Sequence, residues 1–311
     1  MSWGITLPTG DDHTGNLVTG LIDQVRQAAD AGVGSVWFSQ QQHVDAVTLA
    51  ALAGQAVPGI GLGTSVVPIY PRHPIALAAQ ARTAQAASGG RFQLGLGLSS
   101  KEYVEGSYGV PFDRPIRHLR EYLTVLRTLL ADGTVDFDGE TLRAHLFFGP
   151  AVVPGADPSP ILVAAMGPKA LRVTGELADG TMPFLATPKV LAEHVVPTIG
   201  AAAKAAGRPV PRVVAMVPAL VTADVEGVRR RAREQFAFYA RIPSYRDVLE
   251  RGGVEHAGDV MALGDEETVA AELRRYLDAG ATDLIIAQTG MGSDEDRLRT
   301  WRLLGELSAK A

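Results

Sequence analysis

Two residues that could transfer a proton or bind a ligand follow directly on a predicted strand, Ser35 to Ser39 (SVWFS). Gln40 carries a neutral amide, which can hydrogen-bond the carbonyl groups of a ligand or belong only to the structure of its own loop. His43 has an imidazole that could donate a proton, although a surface-loop histidine is the plainer interpretation. Asp45 stands immediately before the apolar run AVTLAALAG, where an aspartate typically caps a helix.

A second group of polar residues lies in the loop TGDDHTG, which follows the first predicted strand. Asp11, Asp12 and His13 are of types that can bind a metal ion. A polar loop explains the same residues, however, and we predict no metal site.

A third feature is a turn between a strand and a helix. Gly167 and Pro168 open a predicted helix directly after the apolar run ILVAA. The unpaired N–H groups at the start of a helix favour an anion such as a phosphate group. Lys169 and Arg172 could add positive charge there, or could simply lie on the solvated face of the helix.

Several function classes have no support in the sequence. The chain contains no cysteine, so disulfides, thiolate metal sites and cysteine nucleophiles are excluded. There is no Walker A loop, no Gly-x-Ser-x-Gly elbow and no zinc-binding pattern. A net charge of −5 from 29 Lys and Arg against 34 Asp and Glu gives no reason to expect nucleic-acid binding.

The first residues, MSWGITLPTG, lack the regions of a signal peptide, and no apolar run is long enough to span a membrane, so we expect a cytoplasmic location.

Strand and helix signals alternate along the chain, beginning with the short apolar run WGITLP. The strands are apolar with little alternation, which is typical of a parallel sheet buried on both faces. Eight strand–helix units in 311 residues predict a (β/α)8 TIM barrel, and a doubly wound open sheet is the main alternative. The predicted strands are Trp3 to Pro8, Ser35 to Ser39, Ile60 to Val67, Phe92 to Leu98, Ile161 to Ala165, Gly180 to Leu185, Val213 to Thr222 and Asp283 to Gln288.

Two intervals are longer than the regular spacing and predict insertions into a single domain over residues 1–311. The first, about 99–160, contains one predicted helix (Arg114 to Ala131) and a hairpin-like FDGE turn. The second, about 224–265, contains helices interrupted at Pro243. It also contains an aromatic group that either packs or forms a substrate wall, namely Phe236, Phe238, Tyr239 and Tyr245. In a barrel, insertions after strands lie on the face that carries the active site.

Three segments in the right order give the chain a recognisable family pattern. TSVVPIYPRHP, followed by the SGGRFQLGLG stretch, resembles the bacterial luciferase-like monooxygenase superfamily. The segments AAMGPKALRVTGELADGTMP and GDEETVAAELRRYLDAGATDLII resemble the later signatures of that superfamily, so the likeness covers essentially the whole chain. Within it, the chain is most similar to the branch that uses the deazaflavin coenzyme F420 instead of FMN.

The resemblance implies both a cofactor site and its residues. It implies a cis peptide bond between Ser65 and Val66, forming a bulge behind the deazaflavin ring, and a phosphate-binding turn at residues 165–167. The implied cofactor-binding residues are Gln40, Thr64, Ser65, Val66, Gly97, Leu98, Ser99, Ala165, Met166 and Gly167, with His43 and Gln40 as the candidate catalytic residues.

The chain also departs from the pattern of the sugar-phosphate dehydrogenases in this superfamily. Gln40 and Gln41 stand where those enzymes have an Asp-His pair, and Ser99 and Ser100 stand where they have a Glu. Glutamine and serine cannot serve as a general base near neutral pH. We therefore expect transfer of a hydride from reduced F420 to an activated C=C or C=N bond of a small-molecule substrate.

Two alternatives remain open at this stage: an FMN-dependent monooxygenase of the same fold, and a barrel that binds a cofactor without catalysis. The family commonly forms dimers, so we also expect a homodimer.

Overall fold

The computed structural model describes residues 2–7 and 15–310, and Asp11, Asp12 and His13 lie outside these residues. Within them, eight parallel strands form a closed ring, because strand Arg212–Val221 pairs with both Gly180–Thr181 and Asp283–Ala287. Strand Asp283–Ala287 in turn pairs with Trp3–Thr6. This confirms the predicted (β/α)8 barrel and excludes the open sheet. The barrel strands are β1 (Trp3–Thr6), β2 (Ser35–Phe38), β3 (Gly61–Thr64), β4 (Phe92–Gly97), β5 (Ile161–Val163), β6 (Gly180–Thr181), β7 (Arg212–Val221) and β8 (Asp283–Ala287).

The helices pack around this ring and shield the outer face of the strands. Two of them, for example, begin at side-chain caps: the side chain of Asn16 accepts from the Thr19 N–H at 3.1 Å, and that of Asp45, as predicted, accepts from the Thr48 N–H at 2.8 Å. The helices are α1 (Leu17–Asp30), α2 (Ala46–Ala56), α3 (Pro74–Ala87), α4 (Lys101–Tyr108), α5 (Pro115–Asp132), α6 (Pro168–Leu177), α7 (Pro188–Val190), α8 (Val196–Ala205), α9 (Val225–Phe236), α10 (Pro243–Gly252), α11 (Glu266–Asp278) and α12 (Asp294–Ala309), with a π-helical turn Leu191–Val195 between α7 and α8.

The barrel interior is filled with apolar side chains. Trp37, Leu162, Met182, Val214 and Ile285 form one buried cluster, each no more than 1% exposed. A Cβ atom at residue 63 would lie 2.2 Å from the indole of Trp37, so only glycine fits at this position of β3. The barrel interior around this cluster is therefore a packed core.

The segment between β4 and β5 differs from the prediction in one respect. It contains α4 as well as α5, whereas one helix was expected there. Helix α4 buries only Val104, so apolar spacing does not reveal it. Its signals are local: the Ser100 hydroxyl accepts from the Tyr103 N–H at 3.3 Å, and Gly109 ends the helix with a φ of 63°. The expected turn is present as an antiparallel hairpin of Asp136–Asp138 and Arg143–His145.

The segment between β7 and β8 holds α9, α10 and α11, with a short strand Ala262–Gly264 that pairs with the end of β7. Among the helices in the described part of the chain, none is both long and apolar enough to cross a membrane.

Candidate functional site

A cavity of about 140 Å³ lies at the carboxyl ends of the barrel strands, and we call it the barrel-mouth cavity. Most of its walls come from residues that end or directly follow a strand, which is where ligands bind in this fold. Its lining residues are Thr6, Ser39, Ser65, Val66, Ala164, Met166, Met182, Phe184, Met216, Tyr239, Tyr245, Ala287 and Gln288.

The bulge after β3 forms one wall of this cavity. The peptide bond between Ser65 and Val66 is cis, as the resemblance predicts, and both residues line the cavity. The Ser39 hydroxyl donates to the Ser65 carbonyl oxygen at 2.9 Å, which ties the bulge to the end of β2. Beyond the bulge, Val67–Pro68 pairs in parallel with the end of β4, so the chain returns to the barrel wall at once.

Thr64, directly before the bulge, has a structural role and does not line the cavity. Its side chain is fully buried, and its hydroxyl donates to the Gly95 carbonyl while accepting from the Gly95 N–H, both at 2.9 Å. Both bonds link β3 to β4, so the hydroxyl is occupied within the barrel wall.

Hydrogen bonds to its backbone carbonyl groups hold the turn at residues 165–167 in place. The Thr181 hydroxyl lies 2.9 Å from the carbonyl oxygens of both Val163 and Ala165, and Nε2 of His194 lies 2.8 Å from that of Met166. Gly167 starts α6 without a side-chain cap, and a Cβ atom there would meet nothing within 4 Å. The start of α6 is thus open to a ligand, and Met166 reaches the barrel-mouth cavity.

Gln40 lies outside the cavity lining, and its amide is used within the protein. Its Nε2 donates to the carbonyls of Gln41 and Val44 at 2.7 and 3.0 Å. Its Oε1 accepts from the Ala46 N–H at 3.1 Å and from Nη2 of Arg72 at 2.9 Å. Four bonds fill the hydrogen-bonding capacity of a glutamine amide, so Gln40 fixes the loop after β2 instead of facing the cavity.

His43, Gly97, Leu98 and Ser99 also do not line the cavity. His43 is exposed in the turn before α2. Gly97 ends β4 and packs beneath Val66, and Leu98 is half-buried. Ser99 is exposed and has a left-handed φ of 64°. Of the predicted site residues, the structure brings Ser65, Val66 and Met166 together in one cavity.

Three aromatic residues form a further wall of this cavity, which we call the aromatic wall, and the sequence left the role of these residues open. Phe184, Tyr239 and Tyr245 meet edge to face, with ring centroids 4.7 to 6.2 Å apart, and all three line the cavity. By contrast, Phe236 is buried behind them and Phe238 is 53% exposed, so the aromatic group is divided between ligand wall and packing. Burial raises the pKa of Tyr245, with a contribution from Tyr239, and burial also raises the pKa of Tyr239.

Among residues 2–7 and 15–310, no charged side chain lines this cavity. Its polar groups are the hydroxyls of Thr6, Ser39 and Ser65, the two phenols and the amide of Gln288. Gln288 has a left-handed φ of 64°, which is uncommon for a residue other than glycine and directs the chain at the end of β8. Within the same described ranges, no three His, Asp or Glu side chains are grouped so as to hold a metal ion.

Sequence reasoning missed most of the lining. Thr6, Ser39, Ala164, Phe184 and Ala287 could have been found by taking every residue that ends or follows a barrel strand. The same rule would have found Gln288, which directly follows β8, whereas Met216 lies inside β7 and required the actual register of that strand.

Comparisons with known proteins point to one family. The model of the luciferase-like monooxygenase family matches residues 1–299. A putative coenzyme F420-dependent oxidoreductase of Mycobacterium tuberculosis is 35% identical over 177 residues, and this match spans 53% of the chain and 51%, about half, of that relative. A 5,10-methylenetetrahydromethanopterin reductase of Methanolobus tindarius is 28% identical over 272 residues, covering 85% of the chain and 80% of the relative.

Solved structures agree on the fold. The coenzyme F420-dependent tetrahydromethanopterin reductase of Methanopyrus kandleri superposes with a TM-score of 0.79 at 24% identity, covering 98% of the chain and 97% of that structure. The oxygenating constituent of 3,6-diketocamphane monooxygenase from Pseudomonas putida, in complex with FMN, gives 0.77 at 15% identity, covering 98% and 97%. At these identities the likeness shows the fold alone.

Proposed function

The chain belongs to the luciferase-like monooxygenase family, and on that premise we propose that it is a coenzyme F420-dependent oxidoreductase that reduces an activated C=C or C=N bond of a small molecule. The observation that carries this proposal is the chemistry of the barrel-mouth cavity. Its described walls offer apolar surface and neutral proton donors, and they offer neither a carboxylate nor an imidazole.

The residues at the cavity fit the proposed cofactor. Val66, on the cis bulge, would support one face of a flat ring system, and the aromatic wall lines the same cavity. The open start of α6 at Gly167 suits the phosphate group, because helix N-termini favour anions. Leu98 and Ser99 follow the end of β4 and would lie beside the chain that joins ring and phosphate. When bound in its reduced form, F420 supplies the hydride.

The proposed direction follows from the acid–base groups available. Oxidising an alcohol requires a base that takes the hydroxyl proton as the hydride leaves. Ser39 and Ser65 cannot act as that base at neutral pH, and the phenols of Tyr239 and Tyr245 stay protonated because burial raises their pKa values. Reduction needs only a proton donor, and either of the two phenols could serve as one.

Tyr245 and Tyr239 are therefore stronger candidates for the proton donor than His43, which is exposed and outside the cavity. A phenol that remains neutral can donate a hydrogen bond to the substrate atom that gains negative charge as the hydride arrives. Gln40 is a positioning residue in this scheme, since its amide holds the loop after β2 and binds Arg72.

The experiment that tests the cofactor assignment is an equilibrium titration of the purified protein with F420 and, separately, with FMN. We expect F420 to bind at least tenfold more tightly than FMN. Tighter binding of FMN, together with consumption of oxygen when reduced FMN is supplied, would replace this proposal by the monooxygenase alternative. Tight F420 binding without turnover on any enone or imine would favour a non-catalytic barrel.

A further inference from the structure

Gln288, the residue directly after β8, combines a strained backbone with a side chain that the fold does not use. Its φ of 64° is left-handed. In this conformation the Cβ atom of an L-residue crowds the following carbonyl oxygen, a contact that glycine avoids. Glycine would therefore satisfy the backbone at this position without strain, and a glutamine kept in such a place points to a role for its side chain.

Contacts on both sides hold the backbone of Gln288 in this conformation. Ala287, the last residue of β8, lies in the parallel ladder with β7. Thr289, the next residue, is fully buried, and its hydroxyl accepts from Nε1 of Trp301 at 3.3 Å. The carbonyl oxygen of Gln288 itself accepts from the Met291 N–H at 3.1 Å. The side chain of Gln288 therefore starts from a fixed point on the rim of the barrel.

The amide of Gln288 is open to the barrel-mouth cavity. Gln288 lines that cavity and is half-buried, and within residues 2–7 and 15–310 its Oε1 and Nε2 atoms make no hydrogen bond. Neither atom is among the buried atoms that are both unpaired and closed to solvent, so a ligand in the cavity can reach them. Gln40 is the opposite case, because its amide makes four hydrogen bonds inside the protein. Of these two glutamines, Gln288 is the one whose amide is free for a ligand.

The order of the strands associates Gln288 with the aromatic wall. β8 is the direct neighbour of β7, and Tyr239 and Tyr245 of the wall belong to the segment between these two strands. Val66, which would support the deazaflavin ring, follows β3, and β3 lies three strands further around the closed ring, by way of β1 and β2. Gln288 is therefore better placed to contact the substrate than the face of the ring that Val66 supports.

The charge that develops during reduction decides how an amide can help. When a hydride adds to the β-carbon of an α,β-unsaturated carbonyl compound, a C–H bond forms and the π electrons of the C=C bond move toward the carbonyl oxygen. The substrate gains two electrons, and the deazaflavin is oxidised by two. A proton from the phenol of Tyr239 or Tyr245 then converts the enolate into the saturated carbonyl compound, and water returns a proton to the phenolate. An N–H group fixed beside the carbonyl oxygen stabilises the negative charge as it forms.

An iminium ion makes the opposite demand. Its positive charge disappears as the hydride arrives, so a group that binds this charge stabilises the ground state more than the transition state and does not accelerate the reaction. A neutral amide N–H therefore assists the reduction of a carbonyl-conjugated C=C bond and gives no such help to a C=N bond.

We propose that Gln288 is a catalytic residue whose Nε2 donates to the carbonyl oxygen of the substrate, and that the substrate is an α,β-unsaturated carbonyl compound. This inference rests on the proposed function and makes it more specific, because it selects the C=C bond over the C=N bond. It also explains the backbone at residue 288, since glycine would relieve the strain but would remove the donor.

The test measures stability, F420 affinity and anaerobic reduction of cyclohexenone by reduced F420 in two variants. Gln288→Gly removes the donor and the strain together, so its Tm should equal or exceed that of the wild type. Its kcat should nevertheless fall about tenfold or more, with little change in KM, because the lost bond acts mainly in the transition state. Gln288→Glu keeps the shape of the side chain but replaces the donor by a negative acceptor, and its kcat should fall about a hundredfold.

Two control variants make the same kinds of change outside the cavity lining. Gln235→Glu alters an exposed glutamine of α9, and Arg114→Gly removes another left-handed residue, whose φ is 47°. Both should keep the kcat of the wild type. The affinity for F420, measured by fluorescence titration, should be unchanged in Gln288→Gly, since the side chain is assigned to the substrate.

The outcomes separate this inference from the proposed function. Full turnover of cyclohexenone in Gln288→Gly or Gln288→Glu would overturn the role of Gln288. A clearly lower Tm of Gln288→Gly would overturn it too, because the side chain would then support the fold, and so would a tenfold loss of F420 affinity, because it would then bind the cofactor. A wild type that reduces cyclic iminium ions but no enone would overturn the inference and leave the proposed function standing. A wild type that reduces neither would contradict the proposed function itself, and this inference with it.

Discussion

A Cβ atom placed on Gly97 would lie 2.7 Å from Cγ2 of Val66, which is closer than real Cβ contacts come. The end of β4 and the cis bulge after β3 therefore touch in this way only because residue 97 is a glycine. Val66 lines the barrel-mouth cavity, so its position there depends on a neighbour that itself lies outside the cavity lining.

Gly97→Ala should consequently move Val66 and weaken F420 binding. The added methyl group must displace the valine side chain, and we expect an affinity loss of about tenfold, or about 1.4 kcal/mol. Gly106→Ala in α4 is the matched control, because a Cβ atom there would meet nothing within 4 Å. Fluorescence titration of both variants checks the prediction, and an unchanged affinity in a folded Gly97→Ala protein would contradict it.

The start of α6 gives a second prediction about the cofactor. Gly167→Asp places a negative charge where the phosphate group should approach, and we expect at least a tenfold loss of F420 affinity, about 1.4 kcal/mol. Gly167→Ala adds a Cβ atom into open space without charge and should bind F420 nearly as the wild type does. If the two variants bind equally well, the phosphate lies elsewhere.

The proton donor can be identified by comparing two variants. Tyr245→Phe should lower kcat by the roughly 10²- to 10⁴-fold that is typical of a lost general acid, with a smaller effect on KM. His43→Ala should lower kcat by much less. Since burial raises the pKa of Tyr245 above its ordinary value of 10.0, wild-type activity should fall only on the alkaline side. A full loss of kcat in His43→Ala, with Tyr245→Phe still active, would instead identify the histidine as the donor.

The ion pair of Asp45 and Arg72 predicts a dependence of stability on pH. Burial alone would raise the pKa of Asp45, but hydrogen bonds from Thr48 and the charge of Arg72 hold it below its ordinary value of 3.8. The stabilisation is therefore present above that value and is lost as the pH falls through the lower pKa of the folded state. Asn also caps helices well, so Asp45→Asn removes mainly the charge and should cost about 1 kcal/mol at neutral pH.

Thermal unfolding of the wild type and of Asp45→Asn across the pH range measures this difference. The difference in Tm between the wild type and Asp45→Asn should be constant above about pH 5 and should become smaller below it. A gap that stays the same at acid pH would mean that the carboxylate does not stabilise the fold through its charge.

The sequence predicts the barrel well because its strands are continuous apolar runs separated by helices with local caps, as at Asn16 and Asp45. Short-range signals of that kind need no knowledge of the fold. Helix α4 was not predicted, because it buries little more than Val104 and so lacks apolar spacing.

The candidate site is harder to predict, because its residues meet only in the folded barrel. Gln40 is an example: the Arg72 that occupies its amide lies 32 residues away in sequence. Tyr239 and Tyr245 reach the cavity from the segment after β7, and local spacing could not separate them from Phe236, which only packs. The cis bond at Ser65-Val66 came from family resemblance, since no rule of local propensity indicates it.

The central claim is that this barrel passes a hydride from reduced F420 to an unsaturated bond, and turnover in both directions tests it most directly. Under anaerobic conditions, the purified protein is mixed with reduced F420 and a panel of cyclic enones and imines, and with oxidised F420 and a panel of alcohols and sugar phosphates. The absorbance of the oxidised deazaflavin reports both reactions. We predict that the enones or imines oxidise the reduced cofactor, while the alcohols and sugar phosphates leave the oxidised cofactor unchanged. Rapid reduction of F420 by an alcohol would contradict the account, because it would require a general base that the described walls of the cavity do not contain.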